Sequence, residues 1–261
     1  MNVLITGTSS GIGKALKEYY LNNNHVVYSL DINELNDDNS FQCDITDYQM
    51  VSKIKDQLKN RGVIFDIILN VAGIHQMASL VESDYFKMKK VIDVNLTGTM
   101  LINNVFHSLL KEKGRIIIVT SEVASFAPMP FNGLYNVSKT ALDTYAQALR
   151  QELNLINQKV ITIRPGAIKT PLSDGSLKGT QDLVNETVLY KKQSSRFLKL
   201  VKSFMGKPLD CKVIAKYIYK ISLKNRPRLI YKKHQNIGLV LLSILPLKMQ
   251  CWIIKKLLNK R

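Results

Sequence analysis

The sequence has few cysteines and lacks an apolar run long enough to cross a membrane. Cys43, Cys211 and Cys251 are the only cysteines in 261 residues, they form no C-x-x-C pair, and the four histidines show no paired spacing. This pattern excludes a disulfide scaffold and predicts no metal site. The apolar stretch at residues 237–247 has 11 residues, whereas a membrane-spanning helix needs about 20.

Composition also excludes several classes of protein. The chain is 46% hydrophobic and 22% charged, which is incompatible with intrinsic disorder or a collagen-like repeat and is typical of a globular protein. Residues 1–6 lack the basic segment and long apolar stretch of a secretory signal. The sequence therefore predicts a cytoplasmic protein.

Acidic residues are almost absent from the last part of the chain. Residues 191–261 contain 19 basic residues and one acid, Asp210, whereas residues 1–190 contain 18 basic and 19 acidic residues. The net charge of +17 therefore belongs to the last 71 residues. Two interpretations stay open: a solvated surface, or a surface that binds an anionic partner. The chain has no recognisable nucleic-acid-binding motif, so we expect no nucleic-acid partner.

Short β-branched or apolar runs alternate with longer helical patterns through the first two thirds of the chain. This alternation predicts an α/β fold of the Rossmann type, a doubly wound parallel sheet in a single domain. Strands are predicted at residues 3–6, 25–30, 41–44, 64–70, 115–120 and 160–164, and helices at residues 12–21, 47–59, 95–111 and 141–155.

The pattern is looser after Pro171. Residues 172–206 are polar and rich in lysine and are interpreted as a substrate lid, followed by a helix at 209–223 and a strand at 228–231. Residues 1–233 would form the main body, and residues 234–261 a basic, amphipathic C-terminal extension of the same domain. In that extension Met249, Trp252, Ile253 and Leu257 share a helical face opposite Lys255, Lys256 and Lys260. Such a helix packs on the domain or a partner subunit, or lies in a membrane interface.

A glycine-rich segment, Thr6-Gly-Thr-Ser-Ser-Gly-Ile-Gly13, joins the first strand to the first helix. Glycines at this place let the pyrophosphate of a dinucleotide approach the backbone and the helix N-terminus. The alternative is a plain strand-to-helix turn. Asp31 lies 24 residues beyond Gly7 at the end of the second strand, where a carboxylate would bind the adenosine ribose and repel a 2′-phosphate. This pattern favours NAD(H) over NADP(H), although Asp31 could also be a turn cap.

Tyr135 and Lys139 are spaced so that both lie on one face of a helix, where the ammonium group can stabilise a phenolate. Tyr85 and Lys89 have the same spacing. Only Tyr135 follows a residue, Ser121, at the carboxyl end of a strand, which is where ligands of open α/β sheets bind. We therefore interpret Tyr135 and Lys139 as the reactive pair, and Tyr85 and Lys89 as surface residues.

Taken in order, these motifs and several others resemble the short-chain dehydrogenase/reductase family over at least residues 3–171. The resemblance assigns catalysis to Asn95, Ser121, Tyr135 and Lys139. Tyr135 would be the general acid/base, Ser121 would bind the substrate oxygen, Lys139 would bind the nicotinamide ribose, and Asn95 would position a water. The resemblance also implies cofactor-binding positions at Gly7, Ser9, Ser10, Gly11, Ile12, Gly13, Asp31, Asp44, Ile45, Asn70, Ala72, Gly73, Tyr135, Lys139, Pro165, Gly166, Ile168 and Thr170.

The sequence departs from the family pattern at a few places. Val71 replaces the second Asn of the N-N-A-G motif, Ala124 stands where Gly is frequent, and the Ser121-to-Tyr135 spacing of 14 is one longer than is common in the family. The longer loop, residues 123–134, borders the substrate and bears on specificity.

The expected activity is hydride transfer between NAD(H) and a secondary alcohol or ketone. One interpretation of the basic, amphipathic extension is that the substrate is lipophilic. The alternative is a non-catalytic NAD(H)-binding scaffold or regulator. The family forms homodimers and homotetramers, so the extension has two open roles: a subunit interface, or peripheral docking on an anionic membrane.

Overall fold

The computed structural model describes residues 1–34, 36–204 and 208–259. Its strands are β1 (Asn2–Thr6), β2 (Val26–Asp31), β3 (Ser40–Gln42), β4 (Phe65–Asn70), β5 (Leu110–Val119), β6 (Lys159–Pro165), β7 (Ile168–Lys169), β8 (Leu209–Asp210) and β9 (Ile230–Lys233). Seven of them form one parallel sheet in the order β3-β2-β1-β4-β5-β6-β9, while β7 and β8 pair only with each other. The predicted Rossmann-type fold is confirmed.

Helices cover both faces of the sheet. They are α1 (Gly11–Leu21), α2 (Tyr48–Asn60), α3 (Tyr85–Ile92), α4 (Thr99–Phe106), α5 (Gly133–Asn154), α6 (Pro171–Glu186), α7 (Lys191–Phe204), α8 (Cys211–Ser222), α9 (Ile237–Ser243) and α10 (Leu247–Asn259). None of the helices in the described part of the chain has both the length and the apolar character of a transmembrane segment.

The alternation of side chains along the strands divides the core into two layers. In β1, Leu4 faces a layer that also contains buried residues of α2, α4 and α5. Val3 and Ile5 face the opposite layer, which is completed by α1 and α8. Because both faces are covered, the strands are apolar almost throughout, as the sequence shows.

The helix predicted at residues 95–111 has different bounds in the structure. The helical segment begins at Tyr85, passes through a π-helical stretch at Asp93–Gly98, and ends in a 3₁₀ turn at His107–Leu109. Leu110 already belongs to β5 and pairs with Phe65 of β4. This pairing with a distant strand ends the helix, and the local sequence contains no comparable signal.

Other predicted elements are present with shifted ends. α5 begins at Gly133, eight residues before the predicted start at residue 141, and β3 ends at Gln42. The predicted lid at residues 172–206 corresponds to α6 and α7, and its last two residues, 205 and 206, lie outside the described residues. The predicted helix and strand near residues 209–231 correspond to α8 and β9.

One face of the C-terminal extension packs on the lid. Leu258 of α10 is buried in a small apolar cluster with Phe131, Leu183 and Phe197, and Ile254 packs against it. The backbone carbonyl of Leu258 also accepts a hydrogen bond from Arg196 of α7 at 2.8 Å. Lys260, which was predicted on the basic face of this helix, lies outside the described residues. α10 therefore packs on its own domain, but through Ile254 and Leu258, whereas Met249, Trp252 and Leu257 of the predicted apolar face are exposed.

Candidate active site

A cavity of about 550 Å³ lies at the carboxyl ends of the central strands. This edge of an open parallel sheet is where loops meet and ligands bind. The residues predicted from sequence that line it are Gly7, Ser9, Ser10, Gly11, Ile12, Gly13, Asp31, Asp44, Ile45, Ala72, Gly73, Ser121, Tyr135, Lys139, Pro165, Gly166, Ile168 and Thr170.

The loop between β1 and α1 requires glycine at defined positions. Gly7 has a φ of +76°, and a Cβ there would lie 2.8 Å from the Cα of Ala72. A Cβ on Gly13 would lie 1.9 Å from the carbonyl oxygen of Gly7, so the loop and the first turn of α1 touch. Ser10 caps α1 without a side-chain hydrogen bond. The N-terminus of α1 therefore presents backbone N–H groups toward the cavity, a favourable place for a phosphate.

Asp31 ends β2 beside this loop, and its carboxylate is buried. One carboxylate oxygen accepts a hydrogen bond from the Ser9 N–H at 2.8 Å, and the other accepts one from the Asn33 N–H at 2.9 Å. Asp31 therefore does cap the turn, which was one of its two interpretations. Because it also lines the cavity, it remains in place to contact a ribose or to repel a 2′-phosphate.

Asn70 and Asn95 do not line the cavity but lie beneath its wall. The Asn95 amide binds both backbone groups of Ile74: its oxygen accepts from the N–H at 2.8 Å, and its nitrogen donates to the carbonyl at 2.9 Å. The same nitrogen donates to Ser138 Oγ at 3.0 Å. Asn70 donates to the Asn103 side chain at 2.7 Å. In this arrangement Asn95, held in the π-helical stretch, positions the wall next to Gly73.

Tyr135 and Lys139 lie one turn apart on α5, and both side chains are buried. The Lys139 ammonium lies 5.8 Å from the centre of the Tyr135 ring and donates a long hydrogen bond of 3.4 Å to the Val119 carbonyl at the end of β5. Ser121 lies two residues beyond the end of β5, and its side chain lowers the pKa of Tyr135 against the effect of burial. The three side chains predicted to act on substrate thus share one wall of the cavity.

Burial shifts the pKa values of this pair in opposite senses. It raises the pKa of Tyr135 to about 12, an effect that the hydrogen bond with Ser121 opposes. It lowers the pKa of Lys139 to about 8. The sequence led us to expect that Lys139 favours the phenolate. Desolvation of the phenolate is the larger effect at Tyr135, so the neutral phenol is favoured.

The second Tyr-x-x-x-Lys pair is on the surface, as predicted. Tyr85 is exposed on α3, and Lys89 forms an exposed ion pair with Asp93. Neither side chain lines the cavity.

Two titratable residues of the cavity wall, one buried and one partly buried, were missed in the sequence. The partly buried His75 lies against Tyr135 with the rings tilted by 52° and their centroids 4.2 Å apart, and its Nε2 lies 2.9 Å from Asn132 Oδ1. Glu122 accepts a hydrogen bond from the Asn236 N–H at 2.7 Å, and burial raises its pKa. His75 lies two residues after the motif residue Gly73, and Glu122 directly follows the motif residue Ser121. This proximity is the only signal in the sequence that could have identified them.

The start of α6, in the segment predicted to form a lid, borders the glycine loop from the other side. Thr170 caps α6 in a reciprocal capping box with Ser173, and Pro171 occupies the first helical position. A Cβ on Gly11 would lie 3.1 Å from the Thr170 side chain, so the start of α6 touches the loop. Val201 of α7 also lines the cavity, which makes both lid helices part of its boundary.

The comparisons with known proteins agree with this geometry. Residues 1–180 match the family model for short chain dehydrogenases. The chain is 31% identical over 199 residues to the NADPH-dependent 1-acyldihydroxyacetone phosphate reductase of Schizosaccharomyces pombe, which covers 72% of this chain and 67% of that protein.

Solved structures show the same fold. A short chain dehydrogenase family protein from Francisella tularensis superposes with a TM-score of 0.74 at 26% identity, covering 91% of this chain and 98% of the other. A short-chain dehydrogenase/reductase from Burkholderia phymatum in complex with NAD has a TM-score of 0.72 at 20% identity, covering 88% of each chain.

One relative is thus named for NADPH and one structure holds NAD. The matched family model, together with a cavity that joins the glycine loop to Ser121, Tyr135 and Lys139, shows that the chain belongs to the short-chain dehydrogenase/reductase family and is an NAD(P)-dependent oxidoreductase.

Proposed function

We propose that this protein reduces a ketone, or oxidises the corresponding secondary alcohol, with NAD(H) as cofactor. The observation that carries the proposal is the buried group of Ser121, Tyr135 and Lys139 on one wall of the cavity. The glycine loop leads into the N-terminus of α1, which has no side-chain cap, and its backbone N–H groups fit the pyrophosphate of a dinucleotide. A bound nicotinamide supplies or accepts the hydride.

The residues of the chain handle the proton. With a pKa raised to about 12, Tyr135 is a neutral phenol at pH 7 and can donate its proton to the oxygen of a carbonyl substrate. Ser121 donates a hydrogen bond to the same oxygen and holds it against Tyr135. Lys139, buried directly behind the ring, binds ribose hydroxyls and stabilises the phenolate that proton donation leaves. Asn95 positions the Gly73–Ile74 backbone beside Lys139 and, as the family resemblance implies, a proton-relaying water.

Asp31 supports NAD(H) over NADP(H). Its buried carboxylate lies at the end of β2, in the wall of the cavity, where a 2′-phosphate would meet a negative charge. The backbone N–H groups of Ser9 and Asn33 hold this carboxylate in place.

A substrate with an apolar chain fits the wall that faces the lid. Side chains of Met77, Val123, Leu172 and Val201 line this part of the cavity. The reductase of Schizosaccharomyces pombe is named for an acyl-bearing ketone, which is a substrate of this chemical class. We expect kcat/KM for ketones to rise with the length of the apolar chain, in a series assayed through the consumption of NADH.

Substitution of Tyr135 by Phe tests the reaction. Tyr135→Phe keeps the ring and removes the proton donor, so turnover should fall at least about a hundred-fold while NADH binding, followed by fluorescence, stays within two-fold. Tyr85→Phe, at the exposed pair of the same spacing, is the matched control and should leave turnover unchanged. Full activity in Tyr135→Phe would contradict the assignment. NADH binding without turnover of any carbonyl compound in the unsubstituted protein would favour the scaffold function instead.

A further inference from the structure

The two helices that end the described chain expose a row of apolar side chains. In α9, Ile237, Leu241 and the following Ile244 recur at a spacing of four and three residues, so they share one face. Their exposed fractions are 74%, 56% and 74%. Isolated apolar residues are common on protein surfaces, but an ordered row on one face indicates a surface that something covers.

α10 continues this apolar character and adds basic residues. Met249 and Trp252 are exposed, Trp252 with an exposed fraction of 59%. The ammonium of Lys256 lies 4.7 Å from the centre of the Trp252 ring, and Lys248 and Lys255 are exposed on the same helix. We call the exposed side chains of Ile237, Leu241, Ile244, Met249 and Trp252 the strip. An apolar surface that includes tryptophan and is flanked by lysines is the side-chain pattern of helices that lie in a membrane interface.

The surrounding charge favours an anionic partner. From Lys191 onward the sequence contains 19 basic residues and a single acidic one, Asp210. Basic residues near an anionic bilayer are attracted to its surface, and each one strengthens the attraction. The same charges disfavour a second copy of this chain on the strip, because a two-fold contact would place lysines against lysines.

Hydrogen bonds fix α9 and the segment before it next to the substrate cavity. The Ser243 hydroxyl of α9 accepts a hydrogen bond at 2.9 Å from the N–H of Ala127, in the loop that borders the substrate. The Asn236 N–H, at the start of α9, binds the cavity residue Glu122. At the other end, Leu258 of α10 packs on α7. The strip is therefore attached at one end to the loop that borders the cavity and at the other end to α7.

We propose that α9 and α10 form a docking surface for an anionic lipid bilayer. Ile237, Leu241, Ile244 and Trp252 insert into the boundary between headgroups and acyl chains, and the lysines contact the headgroups. The docked surface lies beside the lid, so that an apolar substrate could pass between the bilayer and the cavity without crossing water. Docking itself does not depend on the proposed substrate or on turnover.

The single tryptophan of the chain provides a direct test. The full-length protein is mixed with vesicles of phosphatidylcholine containing phosphatidylglycerol, or of phosphatidylcholine alone. We expect co-sedimentation with the anionic vesicles, a blue shift of Trp252 emission, and quenching by lipids brominated on their acyl chains. Binding should weaken at least ten-fold without phosphatidylglycerol or at high salt. Protein that stays in solution with anionic vesicles at low salt would overturn the proposal.

Substitutions locate the surface. Leu241→Glu combined with Ile244→Glu should weaken vesicle binding at least ten-fold, because two apolar side chains no longer enter the bilayer. Phe86→Glu is the matched control, since Phe86 is 75% exposed on α3 and should not contact the bilayer. NADH binding shows that each variant is folded. An equal loss of binding in Phe86→Glu would refute the location.

The competing explanation is that a second copy of this chain covers the strip in a dimer, and different measurements would reveal it. Trp252 emission would then shift with protein concentration in the absence of lipid, and the double substitution would convert dimers to monomers in analytical ultracentrifugation. That result would overturn docking on a bilayer.

Discussion

The imidazole ring of His75 lies against the phenol ring of Tyr135, with the ring centroids 4.2 Å apart. The Nε2 atom of His75 is held by Asn132, while Nδ1 is buried with no hydrogen-bond partner among the described residues. Burial lowers the pKa of His75 to about 4, an effect to which the charge of Lys139 adds and which the contact with Asn132 opposes. At pH 7 a neutral ring therefore packs against the proton donor.

The stability of the protein should depend on His75 below pH 6.5. The folded-state pKa of His75 is below its unfolded value of 6.5, so its contribution is complete above pH 6.5 and is lost as the pH falls toward 4. Between pH 6.5 and 5 this loss is about 2 kcal/mol in the free energy of unfolding. His75→Phe keeps a ring against Tyr135 and should lose less stability over this range, as measured by urea denaturation at pH 7 and pH 5. An unchanged pH dependence would contradict the burial of a neutral imidazole.

Lys139 should increase turnover and at the same time lower the stability of the folded protein at neutral pH. Burial lowers its pKa from 10.5 to about 8, so the unfolded chain binds more protons between these values and stability rises as the pH increases from 8 to 10.5. Below pH 8 the buried charge costs up to about 3 kcal/mol. Lys139→Met should therefore raise the thermal midpoint Tm at pH 7, with a smaller gain at pH 10, and reduce turnover at least a hundred-fold.

The control for this substitution is Lys89→Met, which removes the exposed lysine of the other Tyr-x-x-x-Lys pair. Its ion pair with Asp93 is on the surface, where such pairs contribute little. We expect nearly unchanged Tm and turnover. A Lys139→Met protein that is less stable than the unsubstituted protein at pH 7 would show that the hydrogen bond to Val119 outweighs the desolvation of the charge.

The choice between the two cofactors should depend on Asp31. Asp31→Ser removes the negative charge from the cavity wall, so the ratio of kcat/KM for NADPH to that for NADH should rise at least ten-fold. Asp37→Ser, which removes a carboxylate that is paired with Lys17, is the matched control and should not change the ratio. A preference for NADPH in the unsubstituted protein would contradict the proposed cofactor.

Much of the fold follows from periodicity in the sequence. Apolar runs of strand length alternate with helical patterns, and each central strand was placed within a few residues of its position in the structure. The element ends were less accurate. β5 begins at Leu110 because it pairs with Phe65, a contact between residues 45 positions apart that local propensity does not contain. The π-helical stretch that holds Asn95 has no distinct local pattern either.

The sequence by itself determined the motif residues and their order along the chain. The positive φ of Gly7, the contact of Gly13 with the Gly7 carbonyl and the one-turn spacing of Tyr135 and Lys139 are local features of the backbone, so the sequence shows them. Only the tertiary structure decided what surrounds these residues. The fold buries Tyr135, which raises its pKa, and places His75 against its ring. It also buries Leu258 and leaves Trp252 exposed. Desolvation and exposure depend on contacts between segments far apart in sequence, which is why composition and spacing could not supply them.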